Sequence, residues 1–169
     1  MPVHLLVSQL RFTRSEFIRS LAGVTEEEAT SRFLPMNCIS WIVGHLANQE
    51  RRYWVMLAQG VEIHPELNDL VGYGSPASTP SLAEMESVWR EITQAADRFL
   101  ETLTPGLLQT NFTHQGKIIP ENIGARLMRN IYHYWYHTGE AAAIRQLLGH
   151  KDLPEFVGDM SSAIYYPER

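Results

Sequence analysis

The stretch from Ser81 to Leu103 limits most severely what this chain can fold into. Leu82, Met85, Trp89, Ile92, Ala96, Phe99 and Leu103 recur at three- and four-residue steps, the period of a helix with one buried stripe. Ser81, with Glu84 three residues on, predicts a capping box at its start, and Pro105-Gly106 predicts its end. A helix with one apolar face must bury it against other elements, and three further segments offer matching faces.

Residues 3–21 read as a first helix, with Leu6, Leu10, Phe17 and Leu21 inward and Arg11, Arg14, Glu16 and Arg19 on the opposite, polar side. Gly23 stops it. Thr25, followed by Glu26, Glu27 and Glu28, predicts the cap and acidic first turn of a short helix ending before Pro35. Asn37 or Ser40 is expected to cap a long helix reaching about Gln59 and closed by Gly60, with Ile39, Ile42, Val43, Leu46, Tyr53 and Leu57 inward. Gly44 costs that helix about 1 kcal/mol against alanine, and is read either as a point of close approach or as mere tolerance. Residues 60–80, with Pro65, Pro76 and Pro80, form a long crossover, and 104–120 a polar connection. A last helix is expected from Glu121 to Leu148, stopped by Gly149. The final twenty residues show no helical period and are expected to pack through Phe156, Val157, Tyr165 and Tyr166. The sum is an all-α fold, a four-helix bundle with long crossover connections and an irregular C-terminal tail, as one domain over residues 1–169.

Charge and cysteine content exclude several functions. Fourteen basic against nineteen acidic residues give a net charge of −5, and only Arg51 and Arg52 are adjacent cations, so no nucleic-acid footprint is expected. The single cysteine, Cys38, excludes an intrachain disulfide and a cysteine-based zinc cluster. Nothing resembles a signal-peptide core or approaches the roughly 18 apolar residues of a membrane span, so a cytoplasmic protein is expected.

The chemistry concentrates in the last helix. His133 and His137 are four apart, which on a helix places them about 6 Å apart on one face. Two imidazoles so placed can share a metal ion or simply be polar residues of a helix. The residue after His133 is Tyr134, not the glutamate of the zinc-protease helix, and no Glu-x-x-His occurs, which disfavours a di-iron bundle. His45 lies on the flank of its helix's apolar stripe. His4, His64, His114 and His150 fall near termini or in connections and read as solvated, His114 being the first exception to consider. Trp41, Trp89 and Trp135, with Tyr132, Tyr134 and Tyr136, can pack a core or line a pocket. Cys38 reads as a small buried residue.

Asn37-Cys-Ile-Ser-Trp-Ile-Val-Gly-His45-Leu-Ala-Asn-Gln-Glu50, together with His133-x-x-x-His137-x-Gly139-Glu140 and Arg145-Gln-Leu-Leu-Gly149, resembles the DinB-like (DinB/YfiT) superfamily. The resemblance implies a four-helix bundle whose helix order differs from the common up-down-up-down arrangement. It also implies a divalent metal, zinc or nickel, held by His45, His133 and His137. Relatives include transferases and isomerases that use a low-molecular-weight thiol, and homodimers are common among them. The implied function is a metal-dependent enzyme acting on a small-molecule electrophile. The alternatives are a hydrolase using the same site and a non-catalytic metal-binding or stress-response module. Where many relatives have Arg-Gly-Gln after the last histidine, this chain has Thr138-Gly139-Glu140, a change on the substrate side of the pocket. Glu50 and Glu140 are candidates to orient a ligand or act as a base, each against the reading of a solvated acid. Arg145 is a candidate clamp for a substrate carboxylate, against an exposed or dimer-facing arginine.

Overall fold

Helix α1 spans Leu5–Ser20, and α2, Glu26–Thr30, follows it with a complete capping box between Thr25 and Glu28. The computed structural model describes residues 3–166. Helix α3 spans Ile39–Glu50 and continues as a π-helical segment, Arg51–Leu57. A short α4, Leu67–Val71, lies in the crossover that leads to α5, Leu82–Leu100. Helix α6, Pro105–Leu108, and an antiparallel hairpin of β1, Asn111–His114, and β2, Lys117–Asn122, precede α7, Ile123–Leu147. A 3₁₀ turn at Met160–Ala163 ends the ordered elements.

Helix α1 packs on α7, while α3 packs on both α5 and α7. Arg11 and Arg14 of α1 reach Asp97 of α5, closing the ring. The first two long helices are therefore diagonal rather than adjacent, which is why long crossovers are needed. One apolar cluster fills the centre, including Leu10 and Phe17 from α1, Ile42 and Leu46 from α3, Ile92 and Leu100 from α5, and Leu127 and Ile144 from α7.

Several boundaries differ from the sequence reading. Neither Asn37 nor Ser40 caps α3; Cys38 is the capping residue and makes no side-chain cap bond. At α5, Ser81 accepts from the Glu84 amide, but the other free amides, of Leu82 and Ala83, go to the carboxylate of Glu26 from α2. That long-range cap ties the two helices together. Helix α7 starts at Ile123 under an Asn122 cap, because Glu121 belongs to the hairpin. The tail is held by backbone groups rather than aromatics. Gly158 N–H donates to Glu16, Gln9 donates to the Ala163 carbonyl, and Ala163 is buried. Phe156 (81% exposed), Tyr165 and Tyr166 stay in solvent. Pro167 lies outside the described residues.

The largest difference concerns the polar side of α1. Arg14 and Glu16 are each 5% exposed. Arg14 donates to Glu50 and Asp97, and Glu16 accepts from Arg19 and from Gly158. Charged residues at helical spacing look the same in sequence whether they meet water or each other.

Candidate metal centre

The last turns of α3 and the middle of α7 lie side by side, so that His45 comes to face the four-spaced pair on α7. His45, His133 and His137 each offer a ring nitrogen, and these nitrogens all lie within 4.8 Å of one another. Ring centroids are 4.5 Å apart for His133 and His137, 5.0 Å for His45 and His133, and 5.3 Å for His45 and His137. Nε2 of His133 and Nε2 of His137 are 3.0 Å apart. Tetrahedral ligation at 2.0–2.1 Å separates donor nitrogens by about 3.3 Å, so the pair already has the spacing of two ligands.

Partners outside the cluster fix which nitrogen carries the proton. The Val71 carbonyl, which can only accept, lies 2.8 Å from Nδ1 of His45. The Glu140 carboxylate lies 2.7 Å from Nδ1 of His137. Both rings therefore hold their proton on Nδ1 and present a lone pair on Nε2. His133 completes an arrangement that protons alone do not satisfy. A proton on its Nε2 bonds His137 but leaves its buried Nδ1, which has no partner among the described residues, an orphaned acceptor. A proton on Nδ1 instead orphans a donor and sets two lone pairs face to face. A cation between the Nε2 atoms removes the facing lone pairs, though it leaves Nδ1 of His133 without a partner among the described residues, and three imidazoles suit a divalent transition-metal ion.

Burial adds to this. Loss of solvent, with the neighbouring charges of His137 and His45, pushes the basicity of His133 down to about 3. His45 is also lowered, chiefly by burial, against the pull of the Val71 carbonyl. Both rings are therefore neutral at physiological pH, the state a ligand requires. The ring of Trp41 stacks on His45 with centroids 4.5 Å apart and planes 14° from parallel, fixing the imidazole plane.

Gly44 is a point of close approach. A Cβ there would lie 2.5 Å from Sδ of Met85 and 3.1 Å from Cγ1 of Val71. The missing methyl lets α4 and α5 close on α3, and the same approach brings the Val71 carbonyl to His45. Residue 71 could not be found from sequence, because it acts through its backbone.

The remaining candidates separate clearly. Glu140 joins the site through His137. Glu50 does not: it is fully buried, paired with Arg14, and accepts from the Tyr134 hydroxyl at 2.7 Å. It is neither a solvated acid nor in reach of a substrate. Arg145 is 5% exposed and donates to the Ser20 carbonyl and to His150, so it is neither an exposed arginine nor a clamp at the histidines. His4 caps α1, His64 bonds Glu66 and Glu91, and His150 bonds Glu28. His114 lies exposed in the hairpin.

Two cavities flank α7. One of about 490 Å³ opens over His133 and is lined by Gln49, Glu121, Ala125, Met128, Arg129, Tyr132 and Tyr136. A larger one of about 590 Å³ lies between α7 and the tail, lined in part by Trp135, Gly139, Ala142 and Phe156, and holds none of the histidines. Volume favours the second. Chemistry favours the first, because it opens onto His133, whereas the second, though Ser20, Thr138 and Arg145 also line it, reaches none of the three imidazoles.

Fold and site together define a class: a four-helix bundle in which the second and fourth long helices supply three converging imidazoles able to hold a divalent ion. The chain belongs to the DinB superfamily, whose family model matches residues 9–141. No curated protein matches it. Among the described residues no helix is long and apolar enough to cross a membrane.

Proposed function

We propose that the protein is a divalent-metal-dependent enzyme, zinc or nickel on His45, His133 and His137, that uses a low-molecular-weight thiol to transform a small electrophile by transfer or isomerisation. The observation that carries this reading is the lone-pair arrangement: His45 and His137 commit Nδ1 to Val71 and Glu140 and so present an unprotonated Nε2, and Nε2 of His133 lies 3.0 Å from that of His137. A divalent ion held there supplies Lewis acidity and lowers the pKa of a thiol or water that reaches its open side.

The chain's own groups do the rest. Val71 and Glu140 keep the two Nδ1 protons in place, so the lone pairs stay aimed inward. Burial keeps His133 neutral. The cavity over His133 is large enough for a small molecule and bounds where its reacting atom can sit. The carboxylate of Glu140 remains tied to His137 and so orients a ligand rather than acting as a free base.

Elemental analysis of protein purified without chelator tests the site. About one equivalent of zinc or nickel per chain is expected, and essentially none in a folded His133→Ala variant. Wild-type protein that neither carries nor takes up a divalent metal would overturn the reading. Turnover of an alkylating electrophile is expected only with added thiol; turnover without it would reassign the nucleophile to water.

A further inference from the structure

The open side of the histidine cluster has its own composition, and that composition selects a ligand. Ala125, Met128, Tyr132 and Tyr136 recur at three- and four-residue steps along α7, the stripe beside His133. Met128 is 38%, Tyr132 65% and Tyr136 72% exposed, a run of large apolar surface that a bundle gains nothing by leaving in water. The ring of Tyr136 also contacts His137 edge-on at 5.1 Å between centroids, so the stripe abuts the cluster directly.

The charged groups of the lining are tied to one another. Arg129, the cation in its lining, is bound to Glu121 through Nε at 2.8 and 3.1 Å and through a second nitrogen at 2.7 Å. Glu121 also lies 3.6 Å from a guanidinium nitrogen of Arg126, so its carboxylate is shared between two arginines. Gln49 accepts from Asn130 through Oε1, which leaves its amide NH₂ as the donor side.

We infer that the cavity over His133 is a substrate pocket for a small molecule with a planar, aromatic or unsaturated body and a carbonyl-type acceptor, with Tyr132 and Tyr136 as the specificity-determining residues. The inference rests on the reading of the histidine cluster as the reacting centre. The two tyrosine rings and Met128 cover the planar body, and Gln49 meets the acceptor. Ring-on-ring contact from two tyrosines gives about a tenfold preference over a ligand without a ring.

Two probes separate the alternatives: benzamide and acetamide, titrated into the metal-loaded protein carrying ¹³C-methyl methionine, with the Met128 methyl resonance followed by NMR. Benzamide is expected to shift that resonance saturably and to bind about tenfold more tightly than acetamide. Tyr132→Ala and Tyr136→Ala are each expected to remove most of that preference while leaving metal content unchanged. Acetamide binding as well as benzamide, a preference indifferent to both substitutions, or no saturable shift would overturn the inference. So would a change in sedimentation in the tyrosine variants without probe binding, which would assign the stripe to contact between copies. Neither probe is a thiol, so a failure of thiol-dependent turnover and a failure of this pocket are read separately.

Discussion

Glu50 follows His45 by five residues and Tyr134 directly follows His133, yet these neighbours belong to two regions built on opposite terms. Around Glu50 every strong group is met: Arg14 and Tyr134 bond its carboxylate, Trp89 donates to the Tyr134 oxygen at 2.7 Å, and Asp97 takes the other arm of Arg14. That network draws on all four long helices and leaves nothing for a ligand. One helical face away, the three imidazoles hold aligned lone pairs and an orphaned nitrogen. Both regions are polar, the first fully buried and the second half-buried. Saturation distinguishes architecture from function, since a closed network specifies how the helices meet, while an unmet one specifies what must arrive.

Three measurements can break or sharpen that contrast. The largest effect is expected from Glu50→Ala, which strands the Arg14 guanidinium in the core. A loss of about 3–5 kcal/mol in unfolding free energy is expected by denaturant titration, with metal content per folded chain unchanged. A variant that stayed stable but lost metal would place Glu50 in the site after all. Next comes Glu140→Ala, which frees Nδ1 of His137. Metal affinity, measured by competition with a chromophoric chelator, is expected to fall about 10–100-fold with little change in apo-protein stability. The third is the effect of pH on the metal-free protein. His133 and His45 are less basic folded than unfolded, so below about 6.5 the unfolded chain takes up protons that the folded one refuses. Stability contributed by their neutral forms is fully present above about 6.5 and declines as pH falls toward 3. Unfolding midpoints should show a shallower decline in His133→Ala over that window. An identical slope in both proteins would mean that the imidazole titrates as freely in the fold as out of it.

The legible part of the fold was whatever obeys a helical period over several turns. The long helices could be read from stripes such as Leu82 to Leu103, because burying one face is what makes those segments helical. The hairpin was missed: its strands are four and six residues long, one contains Pro120, and neither alternates cleanly. Helix α4 was missed because five residues have no period of their own and are held by Leu67 and Val71 buried in the common core. The π segment shifts the inward face in a way residue spacing does not show: Trp54 and Val55 are buried where Tyr53 and Leu57 are expected inward and lie half-buried, Arg51 turns in against Glu62, and Arg52 lies in solvent. In the site, the spacing of His133 and His137 was readable from the helix alone. His45 entered through resemblance to a family, since nothing local joins it to residues 88 positions away. Glu50 misled for the reason Arg14 and Glu16 did: sequence shows a charge, not its partner.

The empty space at Gly44 has a consequence for how this chain can be altered. Because a methyl group there would collide with Met85 and Val71, the residue before a coordinating imidazole and the distant crossover that steadies it form one heritable unit. A crossover transplanted from a relative would fit only together with the glycine that admits it. Variation in that surface-lying segment is therefore answerable to the innermost chemistry of the bundle.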